Sequence, residues 1–440
     1  MGEMCVTWTG EAGAGVPYWW EALEDVALEA GLPGRCDLLV IGAGYTGLSA
    51  ALAAESCGAK VVVVDAGVPG RGASSRNGGM FGAHPRLGWD ELARKFGAGV
   101  ADAIFAEAGP ALRWVQGLIE DEEIGCDLQQ TGRIQLAWSR AHFEGQKRLA
   151  RHLTAKSDVQ VRIVERDGLA QEIATERYFG GIVLPEHCGI HPAKFHQGLL
   201  KAVLARGIPV VGEAEVVALE REAAGFVAVT GKGAVRADKV VLATNGYTTR
   251  AFRGYMARVF ALPSYLIATE ALPGELIRQI APGRRMMVET RARHSYFRIS
   301  PDGKRVLFGG RAAIRDVDLQ LAAKRLKQTM CEVWPELEEV KLSHVWTGNT
   351  GYSFDHMPNV GEDRGLHHAM GYSGSGTVLA PYLGAKAAYC AMGDARGETA
   401  YAQTRLLRSA LHPFEKPHFL KAADLWYHHW VDRRERGAGR

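Results

Sequence analysis

Between residues 37 and 65 the chain passes from one block of branched apolar residues to another through a stretch of small ones. Leu38-Leu39-Val40-Ile41 has no polar interruption, the pattern of a strand buried on both faces of a parallel sheet. It stops at Gly42-Ala43-Gly44-Tyr45-Thr46-Gly47. Leu48, Ala51 and Leu52 then recur at helical spacing through an alanine-rich segment that Gly58 can end, and Lys60-Val61-Val62-Val63-Val64 is a second strand closed by Asp65. The pattern predicts a complete βαβ unit.

Further along, Ala101, Ile104, Phe105, Ala108, Leu112, Val115 and Ile119 share one face of a predicted helix. Arg133-Ile134-Gln135-Leu136-Ala137-Trp138 alternates like a half-buried strand. Pro209-Val210-Val211 and Lys239-Val240-Val241-Leu242-Ala243 return to buried strands. Arg293 to Arg298, the Asp302-Gly303 turn and Arg305 to Gly310 read as strand, turn and strand. A last glycine-rich turn, Gly371-Tyr372-Ser373-Gly374-Ser375-Gly376, opens a helical run through Val378, Leu379, Pro381, Tyr382, Leu383, Ala385 and Ala388.

The chemistry starts at the first turn. Gly42 permits its tightness, Gly44 lets backbone approach a pyrophosphate, and Gly47 lets helix lie close on strand. The helix N-terminus, with Tyr45 and Thr46, supplies N–H groups and positive dipole to phosphates, and Asp65 is placed to accept from ribose hydroxyls. After Asp65 comes Gly70-Arg71-Gly72-Ala73-Ser74-Ser75-Arg76-Asn77-Gly78-Gly79, which is neither ordinary helix nor strand. Its small residues suit backbone lying against a flat ring, with Ser74, Ser75 and Asn77 as donors to ring or phosphate oxygens.

Composition narrows the class without naming it. A length of 440 residues favours two domains, and 47% hydrophobic with 23% charged residues is the balance of a globular protein that folds throughout. A net charge of +3 argues against nucleic acid or an anionic membrane as partner. The basic cluster Arg433-Arg434-Glu435-Arg436 reads as a solvated end. Seven cysteines at 5, 36, 57, 126, 188, 331 and 390 form neither a disulfide framework nor a zinc site, so no metal is expected and a reducing cytoplasm is the expected home. The first residues show no secretory pattern, and no apolar run is long enough for a membrane span. The sequence sets no oligomeric state.

Taken together, Tyr18-Trp19-Trp20, Gly42 to Ser49, Gly72 to Gly79, Gly189-Ile190-His191-Pro192, Ala243-Thr244-Asn245-Gly246-Tyr247, Leu307-Phe308-Gly309-Gly310 and Gly371 to Gly376 make the chain resemble the D-amino acid oxidase superfamily, most closely its gamma-glutamylputrescine oxidase-like branch. The resemblance implies an α/β protein with a Rossmann-like FAD-binding domain and a discontinuous second domain on a mostly antiparallel sheet. Residues 1–88, 189–255 and 340–440 would form the first, and 89–188 and 256–339 the second. It places non-covalent FAD against Gly42, Gly44, Tyr45, Thr46, Gly47, Asp65, Ala73, Ser74, Ser75, Arg76, Asn77, Gly78, Gly79, Val216, Thr244, Asn245, Gly246, Gly374, Ser375, Gly376 and Thr377. No cysteine falls in Trp346 to Gly361 and no Trp-His pair follows Ser75, the sites that covalent relatives use.

The same resemblance makes Tyr296, Arg298, Asn349, Tyr352 and Tyr372 the expected pocket residues, with His294, His344 and His356 nearby. Amino-acid-oxidising relatives carry a carboxylate-gripping arginine at the position of Asn349, and asparagine cannot supply that two-pronged charged contact. The expectation is therefore oxidation of a C–N bond in a small amine with no α-carboxylate at the reacting carbon, gamma-glutamylputrescine or polyamine-like. Hydride would pass to flavin N5 and the imine would hydrolyse, with oxygen or another acceptor taking the electrons. The lysine that activates oxygen in sarcosine oxidases falls at Leu307. An amino acid or N-methyl amino acid oxidase is the alternative, recognisable by an arginine on the substrate face, for which Arg298 is the neighbour at hand. A non-catalytic or tRNA-modifying flavoprotein is disfavoured by the near-neutral charge.

Overall fold

The computed structural model describes residues 6–28, 31–82, 84–409, 412, 419–431 and 434–435. Of the sequence features above, Cys5, Arg433 and Arg436 lie outside the described residues.

The βαβ unit forms as its pattern predicts: strand Arg35–Ile41, helix Tyr45–Glu55, strand Val61–Val64. Leu38 to Val40 and Val61 to Val64 are buried because the helix and its neighbours cover the sheet on both sides. The two strands pair in parallel, Leu38 with Val61 through Ile41 with Val64. Val210–Val211 continues the sheet beyond Val61–Val64, and Gly233–Leu242 flanks Arg35–Ile41 on the other side. Gly233–Leu242 is shared, its first half pairing with Gly225–Thr230 and its last residues with Leu366–Met370. Val216–Glu222 and Asn359–Asp363 bring this sheet to eight strands.

The second sheet has nine strands in the order Trp8–Ala14, Leu342–Ser353, Val259–Thr269, Val306–Gly310, Ser295–Ile299, Met286–Glu289, Arg133–Leu136, Gly180–Leu184 and Arg162–Glu165. Most of its pairings are antiparallel, and the predicted strand-turn-strand is the hairpin Ser295–Ile299 with Val306–Gly310. Two of its strands, Trp8–Ala14 and Leu342–Ser353, come from segments expected on the cofactor side.

Helix Ala98–Asp121 buries all seven residues of its predicted face. They pack in the same core as Tyr45, Leu48 and the helix Gly376–Met392, beside the eight-stranded sheet. Among the described residues no helix is long and apolar enough to cross a membrane.

Candidate functional site

Two cavities meet at the interface of the two sheets. The first, of about 440 Å3, follows the C-terminal edge of the parallel strands, where loops leave a sheet of this kind open. Gly42, Gly44, Tyr45, Thr46 and Asp65 line it, as do Ala73, Ser74, Asn77, Val216, Thr244, Asn245, Gly374, Gly376 and Thr377. The second, of about 570 Å3, lies over the nine-stranded sheet. Ala73, Asn77, Thr350, Gly374 and Thr377 line both, so the two cavities lie against each other across a shared wall.

Close backbone packing shapes the first cavity. A Cβ at Gly47 would sit 1.8 Å from the Gly42 carbonyl oxygen, so only glycine lets Tyr45–Glu55 start against its strand. Gly384 plays the same part from the other side, a Cβ there falling 2.2 Å from the Thr46 carbonyl oxygen. Helix Gly376–Met392 is thereby laid against the first turn of Tyr45–Glu55, and the Tyr372 hydroxyl bonds Thr46 Oγ1 at 2.8 Å. Neither Gly44 nor Ser375 caps its helix with a side chain. Both N-termini, with their positive dipole ends, face the cavities.

Several expected cofactor contacts turn out to build the loop. The Ser75 hydroxyl donates to the Gly70 carbonyl and accepts from Trp20 Nε1 at 2.8 Å, which turns it away from the cavity. Asn77 Nδ2 donates to the Ser74 carbonyl at 2.8 Å, and its Oδ1 accepts from Gly79 N at 2.8 Å. Arg76 stacks on Trp20, bonds the Thr347 carbonyl and borders the second cavity. Gly78 and Ser375 also line the second cavity, while Gly79 and Gly246 line neither. Asn245, at φ 43°, accepts from Gly371 N at 2.9 Å and ties two turns together. Asp65 accepts from Ala43 N at 2.7 Å and Gly67 N at 3.0 Å; a carboxylate has lone pairs left for a ribose hydroxyl.

The cavity fits FAD. Glycine-lined backbone, two helix N-termini without a side-chain N-cap, the first with Tyr45 N bonded to Ser74 Oγ at 3.0 Å, and an acid at the end of the second strand form a cradle for a diphosphate and an adenosine. The far end opens at the shared wall, where a flat ring would lie between loop 73–77 and Gly374–Thr377.

The expected pocket residues separate into three groups. Tyr296, Asn349 and Tyr352 line the second cavity, and the Tyr296 hydroxyl pairs with Ser264 at 2.8 Å. Burial pushes the Tyr296 phenol up to about 12, so it serves as a neutral hydrogen-bonding group. Tyr372 belongs to the first cavity instead, and its buried phenol is likewise held protonated. Arg298 reaches neither cavity: Nη1 donates to the Gly79 and Ile190 carbonyls at 2.8 and 2.9 Å, and Nε to the Ile299 carbonyl. A buried guanidinium must spend its donors, and backbone carbonyls of the loop take them here. Arg298 therefore does not replace the arginine absent at Asn349.

Sequence reasoning missed the side chains that dominate the second cavity. Arg86, Arg133, Arg291 and Arg311 line it with Arg76. Arg291 is neutralised by Glu289 at 2.6 Å. Among the described residues no carboxylate pairs with Arg86, Arg133 or Arg311. Arg311 donates to the Tyr352 hydroxyl and lies 4.8 Å from its ring centre, and the Arg86 guanidinium is 5.3 Å from the same centre. At Gly374, on the shared wall, a Cβ would meet Arg86 Nη1 and the Tyr352 hydroxyl at 3.4 Å each. His294 and His356 line the cavity and are kept neutral, His356 down to about 4, first by burial and then by the field of these arginines. His344 lies elsewhere, 3.0 Å from Glu21, and Leu307 is in a small apolar cluster with Leu266 and Trp346. Arg86 follows an irregular loop and Arg311 ends a strand. Their only sequence signal was an arginine after Gly309-Gly310.

The comparisons agree with this geometry. A model of the family described as FAD dependent oxidoreductase matches residues 37–390. A probable oxidoreductase OrdL from Rhizobium meliloti is 29% identical over 392 residues, covering 88% of this chain and 91% of that one. The gamma-glutamylputrescine oxidoreductase of Escherichia coli is 28% identical over 380 residues, covering 83% and 86%. Among solved structures, glycine oxidase from Geobacillus kaustophilus superposes with a TM-score of 0.71 at 20% identity, covering 86% of this chain and all 100% of that one, a likeness of fold. With its cradle for FAD and a family match over most of its length, this chain belongs to the DAO family of FAD dependent oxidoreductases.

Proposed function

We propose that the protein oxidises the C–N bond of a small amine that also carries a carboxylate. The observation that carries this is the trio Arg86, Arg133 and Arg311, which have no acidic partner among the described residues, the cavity's carboxylates Glu91 and Glu289 being paired with Lys95 and Arg291. Uncompensated guanidiniums beside one another cost free energy until an anion arrives, and a polyamine would add to the cost. Asn349 argued against an α-carboxylate because the usual arginine is missing there. Arg86 and Arg311, reaching the same wall from other elements, supply the charge instead.

The Escherichia coli and Geobacillus kaustophilus relatives are named for gamma-glutamylputrescine and glycine, compounds that hold both an amino group and a carboxylate. This supports the class rather than either compound. Residues 1–88, 189–255 and 340–440 would hold FAD and 89–188 and 256–339 much of the substrate, with His84, Arg86, Asn349 and Tyr352 of the first set also lining the substrate cavity and Thr350 serving both. No cysteine lines either cavity among the described residues, in keeping with a non-covalent FAD.

When bound, FAD supplies the acceptor for a hydride from the carbon next to the amine nitrogen. Arg86 and Arg311 hold the carboxylate, and the Tyr352 hydroxyl, fixed by Arg311, sets its position at the shared wall. The field that keeps His294 and His356 neutral also disfavours the ammonium form of the substrate, leaving the nitrogen lone pair free. Leu262, Leu266 and Val288 keep the floor apolar.

The test is anaerobic mixing of the yellow protein with putrescine, spermidine, gamma-glutamylputrescine, and simple and N-methyl amino acids, following the flavin absorbance. Bleaching by carboxylate-bearing amines is expected. Bleaching by putrescine or spermidine with none by the carboxylate-bearing set would overturn the proposal.

A further inference from the structure

The cavity floor is a single rung of the nine-stranded sheet. Gln135 pairs with Val288, Val288 with Tyr296, Tyr296 with Gly309 and Gly309 with Leu266, so these residues stand side by side across five strands. Tyr296 marks the cofactor end, since a Cβ at Gly78 in the shared loop would fall 2.8 Å from its ring. Gln135 stands two strands further out, roughly 10 Å away at the usual strand spacing. Arg133, two residues from Gln135, shares its face of the strand and also lines the cavity.

This far end is polar and unsatisfied. Arg133 Nε, Gln135 Oε1 and His84 Nδ1 are buried with no hydrogen-bond partner. His84 is itself 8% exposed and lines the cavity. Behind it His187, with both ring nitrogens unpartnered, packs at 5.2 Å between ring centres. Buried polar atoms are almost always paired in folded proteins, so several orphans gathered at one end of a ligand cavity point to a ligand group that pairs them. Arg133 and Arg86 line this cavity with no carboxylate paired to either among the described residues, which makes that group an anion.

We propose that Arg133, Gln135 and His84 form a distal subsite for a second acidic group, so that the preferred substrate is an elongated amine carrying one carboxylate near the reacting carbon and another at its far end. This rests on the carboxylate reading above and extends it. Arg133 holds the distal carboxylate, Gln135 presents its amide N–H after a half-turn of the side chain, and His84 donates in its neutral Nδ1–H form. The rung length sets the reach: a distal acid on a short chain would stop over Val288, short of Arg133.

Perturbation of the flavin spectrum in the holoenzyme reads this without turnover. Butyrate, hexanoate, succinate, glutarate, adipate and pimelate would be titrated into wild type and Arg133→Met. A dicarboxylate of suitable length is expected to bind at least about 30-fold more tightly than the monocarboxylates, and Arg133→Met to abolish that advantage, so that mono- and dicarboxylates bind alike. Arg133→Lys, which keeps the charge and loses the fork, should restore part of it. Equal binding of mono- and dicarboxylates at every length by wild type would overturn the distal subsite, a result that stands even if the variants lose flavin. Weakening of both classes alike by Arg133→Met would also overturn it. If none of these acids binds and polyamines alone bleach the flavin, the carboxylate reading itself has failed, which is a separate outcome.

Discussion

The two cavities share five residues and are built in opposite ways. The FAD cleft is made largely of backbone: glycines, helix N-termini and turn carbonyls, with Asp65, Arg71 and Glu215 its charged residues. The substrate cavity is made of side chains, five of them arginines, delivered by strands and loops far apart in sequence. A backbone site tolerates no substitution that moves the chain. A side-chain site keeps its walls when one group is cut away and loses only what that group recognised. The difference predicts how each should fail.

The largest effect is expected at Gly47. A valine there would drive its Cβ into the Gly42 carbonyl oxygen, 1.8 Å from the ideal position, with no flexible side chain to give way. Overpacking of this kind usually costs about 1–3 kcal/mol and more against rigid backbone. Gly47→Val should therefore be recovered colourless or insoluble, as flavin content per chain would show. A yellow, fully loaded variant would break the distinction between the cavities.

The same contrast decides what was legible in the sequence. The FAD cleft could be read because its parts are local: strand, glycine turn, helix and acid lie within Asp37 to Asp65, and each glycine has a backbone reason. The helical face from Ala101 to Ile119 and the hairpin around Asp302-Gly303 were readable for the same reason, periodicity being a local property. Ser75 was misread because a short polar side chain in a turn bonds its own loop as readily as a ligand, whereas Asn77 lines both cavities while its amide also bonds the loop. Arg298 was misread and Arg133 overlooked because which way a strand arginine points depends on sheet pairing, and Arg86 because it lies in an irregular loop. Arg298 turns toward Gly79 and Ile190, while Arg133 turns toward the cavity.

Arg311 tests the side-chain site. Arg311→Met removes a guanidinium that holds the Tyr352 hydroxyl and faces the shared wall. Losing one charged partner of a desolvated carboxylate typically costs about 2–4 kcal/mol, so kcat/KM for a carboxylate-bearing amine should fall about 100-fold or more. Flavin content should stay at wild-type level. Loss of flavin together with activity would mean that the two cavities are not separable.

Arg298 sharpens the comparison from the other direction, being an arginine that does the work of backbone packing. Arg298→Met leaves the Ile190 carbonyl without its donor and the Gly79 carbonyl with the Ile190 N–H alone. The expected loss is about 2–4 kcal/mol of stability, read as a lower midpoint of thermal unfolding, with KM unchanged within about twofold. A KM change of tenfold without a stability change would restore Arg298 to the substrate site.

The smallest expected effect is on pH dependence, and it comes from charge alone. His356 is held down to about 4 by burial, then by Arg86, Lys95 and Arg311, with Glu91 opposing them. The unfolded chain takes up a proton at this histidine near pH 6.5 and the folded chain does not. Its contribution to stability is therefore complete above pH 7 and declines as pH falls toward 4. A carboxylate ligand seated between Arg86 and Arg311 cancels part of their field and raises the histidine, so binding takes up protons in the same window. Affinity for a carboxylate inhibitor should rise on the order of a fewfold from pH 7 to pH 5, before the ligand itself protonates. His356→Gln should flatten that slope while keeping the affinity at pH 7. A flat profile in the wild type would show that the anion sits away from Arg86 and Arg311.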